Sequence, residues 1–222
     1  TSFYINRRFF FLIKIGSFPA VTFEELCQGS KELPWEEYIP EDGKFWVAKA
    51  ASEKSKLFSP SDIQSVMNKA IVELLRGVYH VNWFTEEGNS FPLRVFLMKD
   101  MVTVGVDTTG ESLHKRGYRK LTARAPIAEN LAAALIMLTP LNKERTLVDP
   151  FCGSGTFPIE AAMMAAGMAP GLSRDFLSED WEHLLPKRVW YDVLDEANDL
   201  VDLSVETDIQ GYDIDDEMVT IS

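Results

Sequence analysis

With 222 residues, 46% of them hydrophobic and 25% charged, the chain has an ordinary globular composition and can bury one sizeable core or two modest ones. Its longest apolar run, Leu131 to Leu138, is far short of the ~20 residues of a membrane span, and Phe9–Ile13 behind Arg7 and Arg8 is too short for a secretory signal. A net charge of −12 argues at first against nucleic acid, but residues 1–124 carry 17 Lys+Arg against 15 Asp+Glu and residues 125–222 carry 5 against 19. Two modules with different partners are expected, although an acidic surface serving solubility alone would explain the Asp175–Glu206 stretch equally well.

From the N-terminus, Phe9–Ile15 reads as a strand and Phe23–Leu33 as a short helix capped by Thr22, with Glu25 three residues on. Pro34, Pro40 and Gly43 punctuate the chain before a strand at Phe45–Ala48. The clearest helix follows, with Ser59 as N-cap, Pro60 in the first position and Gly77 just past the end. Ile63, Val66, Met67, Ala70, Ile71 and Leu74 give it one buried face. Phe91–Leu97 and Met101–Asp107 predict a hairpin around Lys99-Asp100, because Val102, Val104 and Val106 alternate with Thr103 and Gly105. A small α+β domain ending near Asp107 is therefore expected.

Ser112–Arg124 then holds Lys115, Arg116, Arg119, Lys120 and Arg124 and no acid, with His114 and Tyr118 interleaved. It reads either as a solvated linker or as a segment that neutralises RNA phosphates and stacks an aromatic on a base. Beyond it the pattern becomes α/β: a helix from Pro126 to about Thr139, a strand at Thr146–Asp149, a glycine-bearing loop at Pro150–Thr156 and a helix at Phe157–Ala166 closed by Gly167. A further strand is expected at Ile209–Ile214, and Trp181, Trp190 and Tyr191 are expected to pack down an insertion between about Met168 and Asp208. Cys27 and Cys152 are too few for a disulfide framework, so a cytoplasmic location is the simplest reading; no metal site is expected.

The chemistry concentrates in Leu147-Val148-Asp149-Pro150-Phe151-Cys152-Gly153-Ser154-Gly155-Thr156. A strand ends in an acid, turns through two glycines and feeds a helix whose first N–H groups can receive an anionic group. An acid on one side and N–H donors on the other suit an amino acid zwitterion, such as the methionine end of S-adenosylmethionine. The dinucleotide fingerprint fails because Pro158 stands where its third glycine belongs, and the P-loop fails because Gly155-Thr156 lacks lysine. Ser154 lacks the glycine of a nucleophile elbow at position 152, and Cys152 reads better as a small residue in a tight turn than as a nucleophile. Asp213, in Gly211-Tyr212-Asp213-Ile214-Asp215, is either a turn aspartate or the acid that takes both hydroxyls of a ribose; the loop at 149–156 favours the second.

Asp149–Thr156 resembles the cofactor loop of THUMP-domain-containing class I RNA methyltransferases, within them the bacterial 23S rRNA guanine-N2 methyltransferases, often labelled N6-adenine-specific DNA methylases. The likeness extends to Asp107-Thr108-Thr109-Gly110, Leu113–Arg119, Ala125–Glu129, Ile159-Glu160-Ala161-Ala162, Ala169–Leu172 and Gly211–Asp215, and upstream to Pro34-Trp35-Glu36, Lys56–Ser59, Gln64-Ser65 and Lys69–Val72. The resemblance implies an α/β Rossmann-like class I methyltransferase domain, incomplete here, preceded by an α+β THUMP/ferredoxin-like module. It divides the chain into a partial ferredoxin-like segment (1–40), a THUMP-type RNA-binding module (41–108), a basic linker (109–125) and the N-terminal half of the methyltransferase domain (126–222). It implies that Asp149, Phe151, Cys152, Gly153, Ser154, Gly155 and Thr156 line S-adenosylmethionine, that Asp213 and Asp215 meet its ribose side, and that Pro126 and Glu129 approach the methionine end. Lys115, Arg116, Tyr118, Arg119 and Lys120 would hold RNA, with 23S rRNA or its precursor as partner.

The family's catalytic tetrad, Asn/Asp-Pro-Pro-aromatic, is expected beyond Ser222, so no catalytic residue is assigned within the chain. The chain begins at Thr1 rather than Met, and Ile5–Phe9 reads like joined fragments of the family's N-terminal region. The expected reaction is methyl transfer to the N2 amine of a guanine in 23S rRNA. The alternatives are an N6-adenine DNA or tRNA amino methyltransferase, a non-catalytic RNA-binding protein on a degenerate cofactor fold, and a nicotinamide dehydrogenase, which Pro158 disfavours.

Overall fold

The computed structural model describes residues 10–119, 126–142 and 144–221. They form two compact units, one spanning Phe11–Thr109 and one running from Gly110 onward. The first contains β1 (Leu12–Pro19), α1 (Phe23–Lys31), β2 (Lys44–Glu53), α2 (Pro60–Tyr79), β3 (Ser90–Met98) and β4 (Met101–Asp107). Its sheet has the order β1-β4-β3-β2, with β4 antiparallel to both neighbours and β2 parallel to β3.

Both helices lie on one sheet face. Leu93, Val95, Leu97, Val102, Val104 and Val106 are almost fully buried there, against Leu26 of α1 and Ile63, Met67 and Ile71 of α2. This is the period-2 strand pattern meeting the 3.6-residue helical face. Thr22 caps α1 as expected: its hydroxyl accepts the Glu25 N–H at 3.2 Å and Glu25 accepts the Thr22 N–H at 3.3 Å, an arrangement worth about 1 kcal/mol.

Several boundaries move. α2 runs past Gly77 to Tyr79 and ends at His80, which takes the left-handed conformation with φ 56°. The extra turn is fastened by the Tyr79 hydroxyl, which donates to the Ile39 carbonyl at 2.6 Å, a partner 40 residues away in sequence. β2 is ten residues long rather than four, with an irregularity between Val47 and Lys49. There the Val47 N–H donates to Asn68 Oδ1 at 2.8 Å and its carbonyl accepts from Gln64 Nε2 at 3.0 Å, so α2 side chains replace the lost ladder bonds. The hairpin forms as expected, its two turn residues Lys99 and Asp100 both at positive φ, 51° and 62°.

The second unit contains α3 (Glu129–Ile136), β5 (Leu147–Asp149), α4 (Thr156–Ala165), α5 (Lys187–Asp199), β6 (Ile209–Gly211) and α6 (Asp216–Ile221). β5 and β6 pair in parallel, with Asp149 opposite Gly211, and α4 lies in the connection between them, so the expected α/β Rossmann-like arrangement is borne out. Ala132, Ala133 and Ala161 let α3 and α4 approach closely. α3 is shorter than the sequence suggests, since Pro126–Ala128 are outside the helix. β6 ends at Gly211, short of the expected Ile214, and past it the Asp213 and Asp215 side chains accept the N–H groups of Asp215 and Glu217. In the inserted segment Trp181 is fully buried and the Trp190 ring stacks on Phe176 with centroids 5.8 Å apart. Tyr191 does not join them; it lies on the outer side of α5, 61% exposed. Among the described residues no helix is long and apolar enough to cross a membrane.

Candidate functional site

At the end of β5 the chain must turn, because Pro150 has no N–H and Asp149 Oδ1 accepts the Phe151 N–H at 3.1 Å. Gly153 and Gly155 then take φ of 53° and 74°, a region that costs other residues about 1–2 kcal/mol. A Cβ placed on Gly153 would meet nothing within 4 Å, so the bend borders open space. Gly155 precedes the first residue of α4, Thr156, and the N–H groups of Thr156 and Phe157 have no acceptor in their own helix by geometry. Phe151 is 86% exposed, whereas Ser154 is buried and its Oγ has no hydrogen-bond partner among the described residues.

β6 brings the second acid alongside. The Tyr212 N–H donates to the Asp149 carbonyl and the Cys152 N–H to the Tyr212 carbonyl, both at 2.8 Å. Asp213 Oδ2 accepts the Gly153 N–H at 2.9 Å and its Oδ1 the Asp215 N–H at 3.0 Å. These donors, Asp215 first and Gly153 second, hold the Asp213 carboxyl below the usual aspartate range. A carboxylate offers about four lone-pair positions, so Asp213 keeps acceptor capacity. Asp215 has other work: its Oδ1 accepts the Glu217 N–H at 2.9 Å and so caps α6. Burial, then the charges of Asp149 and Asp213, push the Cys152 thiol up, away from thiolate chemistry.

The basic segment is arranged differently from its expectation. Lys115 is exposed and pairs with Glu111 at 2.9 Å. Arg116 is 2% exposed, with Nε 3.3 Å from Glu160 Oε1 on α4 and Nη1 donating to the Leu113 carbonyl. The Tyr118 hydroxyl donates to the same Glu160 oxygen at 3.2 Å. Arg119 lies 3.5 Å from Glu129 at the start of α3 and donates to the Thr156 hydroxyl at the start of α4. The expectation of phosphate contacts is therefore corrected for Arg116, whose buried guanidinium could reach a phosphate only by breaking its pair. Tyr118 and Arg119 also direct their polar ends inward. Lys120 and Arg124 lie outside the described residues.

Burial pushes the Glu160 carboxyl up against the opposing pull of Arg116, and burial with the Glu160 charge pushes the Tyr118 phenol up. The stretch beside Arg116 is clamped by Arg174 of the inserted segment, which donates to the carbonyls of Glu111, Ser112 and Lys115. Gly117, at φ 90°, lies so near the Ser173 carbonyl that any Cβ would collide with it. Sequence reasoning missed Arg174 and the pairing role of Glu160. The one available signal was a glutamate on the otherwise apolar helix Thr156–Ala165. Glu111–Arg119 and Pro126–Glu129 border a cavity of about 390 Å³. Among the described residues no group of three or more His, Cys, Asp or Glu side chains could hold a metal ion.

Two family models match most of the chain: a THUMP domain over residues 20–107 and an RMKL-like methyltransferase domain over residues 116–222. The chain is 43% identical over 213 residues to YpsC of Bacillus subtilis, a candidate RNA methyltransferase, covering 95% of this chain and 54% of that protein. It is 42% identical over 137 residues to the ribosomal RNA large subunit methyltransferase K/L of Shewanella woodyi, covering 60% of this chain and 19% of that one. The crystal structure of SMU.472, a candidate methyltransferase complexed with SAH, matches with a TM-score of 0.90 and 43% identity over 99% of this chain and 58% of that one. The chain thus spans about half the length of the first of these relatives. It carries a THUMP domain followed by an RMKL-like methyltransferase domain, and the glycine bend and the second acid lie side by side in the latter.

Proposed function

We propose that this chain forms the RNA-binding and cofactor-binding part of an S-adenosylmethionine-dependent RNA methyltransferase that modifies the N2 amine of a guanine in 23S rRNA. The observation that carries the cofactor reading is the hydrogen bond from Gly153 to Asp213, which joins an acid to a bare-backbone bend with open space above it. The donor set suits the ligand. Asp213 retains lone pairs for the ribose hydroxyls, the first N–H groups of α4 suit the methionine carboxylate, and Asp149 suits the ammonium. The buried Ser154 hydroxyl, without a partner among the described residues, adds a polar group at the same bend. In this reading Arg119 ties Glu129 and Thr156 together and keeps the Pro126–Glu129 turn beside the bend. S-adenosylmethionine supplies an electrophilic methyl group on its sulfonium. The residues of this chain would bind and orient it so that its methyl group faces the flipped guanine.

RNA as the partner is supported by the THUMP match and by the names of the relatives. Calorimetry with S-adenosylmethionine on the full-length protein tests the cofactor, and methyl-transfer assays on 23S rRNA, tRNA and duplex DNA test the substrate. Methylation confined to duplex DNA would replace the RNA reading with a DNA amino methyltransferase. Absence of cofactor binding would leave an RNA-binding protein on a degenerate fold.

A further inference from the structure

The sheet of the Phe11–Thr109 unit has a second face, turned away from its helices. Phe18 lies toward α1, where its ring sits against Gly29, so Ser17 and the strand residues in phase with it point the other way. The Ser17 and Thr103 hydroxyls meet there at 3.0 Å. The register places Lys14 opposite Gly105, Gly105 opposite Arg94, and Arg94 opposite Lys49, so three basic residues form one row across all four strands. That row spans about 14 Å, three interstrand spacings. Lys14 and Lys49, at its two ends, are exposed; Arg94 is paired with Asp107 at 2.6 Å and anchors the middle. Beside Lys49, Trp46 is 37% exposed on the same face, and Phe96 is half-buried in the neighbouring row.

We infer that this face is a docking surface for single-stranded RNA, with Trp46 as a stacking platform for a base and the Lys14 and Lys49 ends of the row neutralising phosphates. The inference rests on the proposed RNA partner and adds the surface and the strandedness. Indole rings beside lysines on a sheet offer a π-face and a cationic border to bases that are not already stacked on one another. In a duplex the base faces are occupied, so such a surface would contribute only its charge. The exposed indole stands beside Lys49, with Phe96 in the next row and Lys14 at the far end, and aromatic surface next to positive charge fits an anionic strand better than an apolar protein partner.

The test is fluorescence anisotropy with full-length protein and a labelled RNA strand of about 12 nucleotides, alone or annealed to its complement. Trp46→Ala should weaken binding of the single strand about 5- to 100-fold. The Lys14→Glu/Lys49→Glu pair should reduce the slope of log affinity against log salt by at least about 0.7 per lysine. Both lysines are exposed, so that variant keeps the test sound even if Trp46→Ala unfolds the sheet. Lys69→Glu on α2, exposed on the helix side, should leave affinity within about twofold. If the wild type binds RNA and neither face variant changes its affinity, or Lys69→Glu changes it equally, the surface is wrong while the RNA reading stands. If the wild type prefers the duplex and Trp46→Ala has no effect, the single-strand assignment fails. No binding to either form removes the RNA partner and this surface together.

Discussion

Asp213 is a carboxylate charged by its own backbone surroundings. Two N–H groups point at it, and they favour the ionised form because a charged acceptor makes the stronger hydrogen bond. Its folded pKa lies below its unfolded value, so its contribution to stability is complete above the ordinary aspartate value of about 3.9 and is lost as pH falls through the lowered one. Binding of S-adenosylhomocysteine should therefore stay flat from neutral pH down to about pH 5 and fall below about pH 4. Asp213→Ala should weaken it about ten- to a hundredfold at pH 7, measured by calorimetry. Cys152, whose N–H donates to the carbonyl of Tyr212 next to Asp213, has the opposite electrostatics. Burial and two neighbouring carboxylates keep its thiol protonated, so alkylation at pH 7.5, followed by intact mass, should be slower than for free glutathione. Cys152→Ala should bind the cofactor within about threefold of the wild type, as befits a residue chosen for size.

Among elements, α4 carries a buried polar cluster. Glu160 is buried on it with Arg116 and Tyr118 as partners, all from a segment that looks like a linker in the sequence. Both members of the ion pair are 2% exposed, so removing one leaves an uncompensated buried charge. Arg116→Met should cost about 3–5 kcal/mol in urea unfolding. Arg116→Met/Glu160→Leu should recover at least half of that loss, since a volume-matched apolar pair needs no compensation. A double variant no more stable than the single one would show that Glu160 is held mainly by Tyr118. The same element explains why Arg116 turns inward. Lys and Arg count equally in a composition, but Arg116 sits where a buried carboxylate needs a bidentate partner, and only the fold brings Glu160, 44 residues on, to that place.

At the scale of the whole chain, charge would separate the two proposed kinds of binding. Residues 1–124 have a slight basic excess and residues 125–222 a large acidic one. RNA binding works by releasing counterions from phosphates, whereas an S-adenosylhomocysteine zwitterion carries little net charge to screen. In the full-length protein, raising KCl from about 50 to about 200 mM should weaken RNA binding at least about tenfold. The same change should alter S-adenosylhomocysteine affinity by less than about twofold. Equal salt sensitivity of the two ligands would mean that they share one electrostatic surface.

The amino-acid sequence determined the features that depend on neighbouring residues. The Thr22–Glu25 capping box, the α2 face, the Lys99-Asp100 turn and the glycine bend after Asp149 are all local, because spacing along the chain sets backbone preference and amphipathic phase. Tertiary structure alone decided the end of α2, where Ile39 receives Tyr79, and the length of β2, which its parallel ladder with β3 carries from Lys44 to Glu53. It also decided the inward turn of Arg116, Tyr118 and Arg119, and the meeting of Gly153 with Asp213 across 60 residues. Those outcomes follow from burial, which forces distant polar groups to find one another, and no local pattern records which partner will arrive.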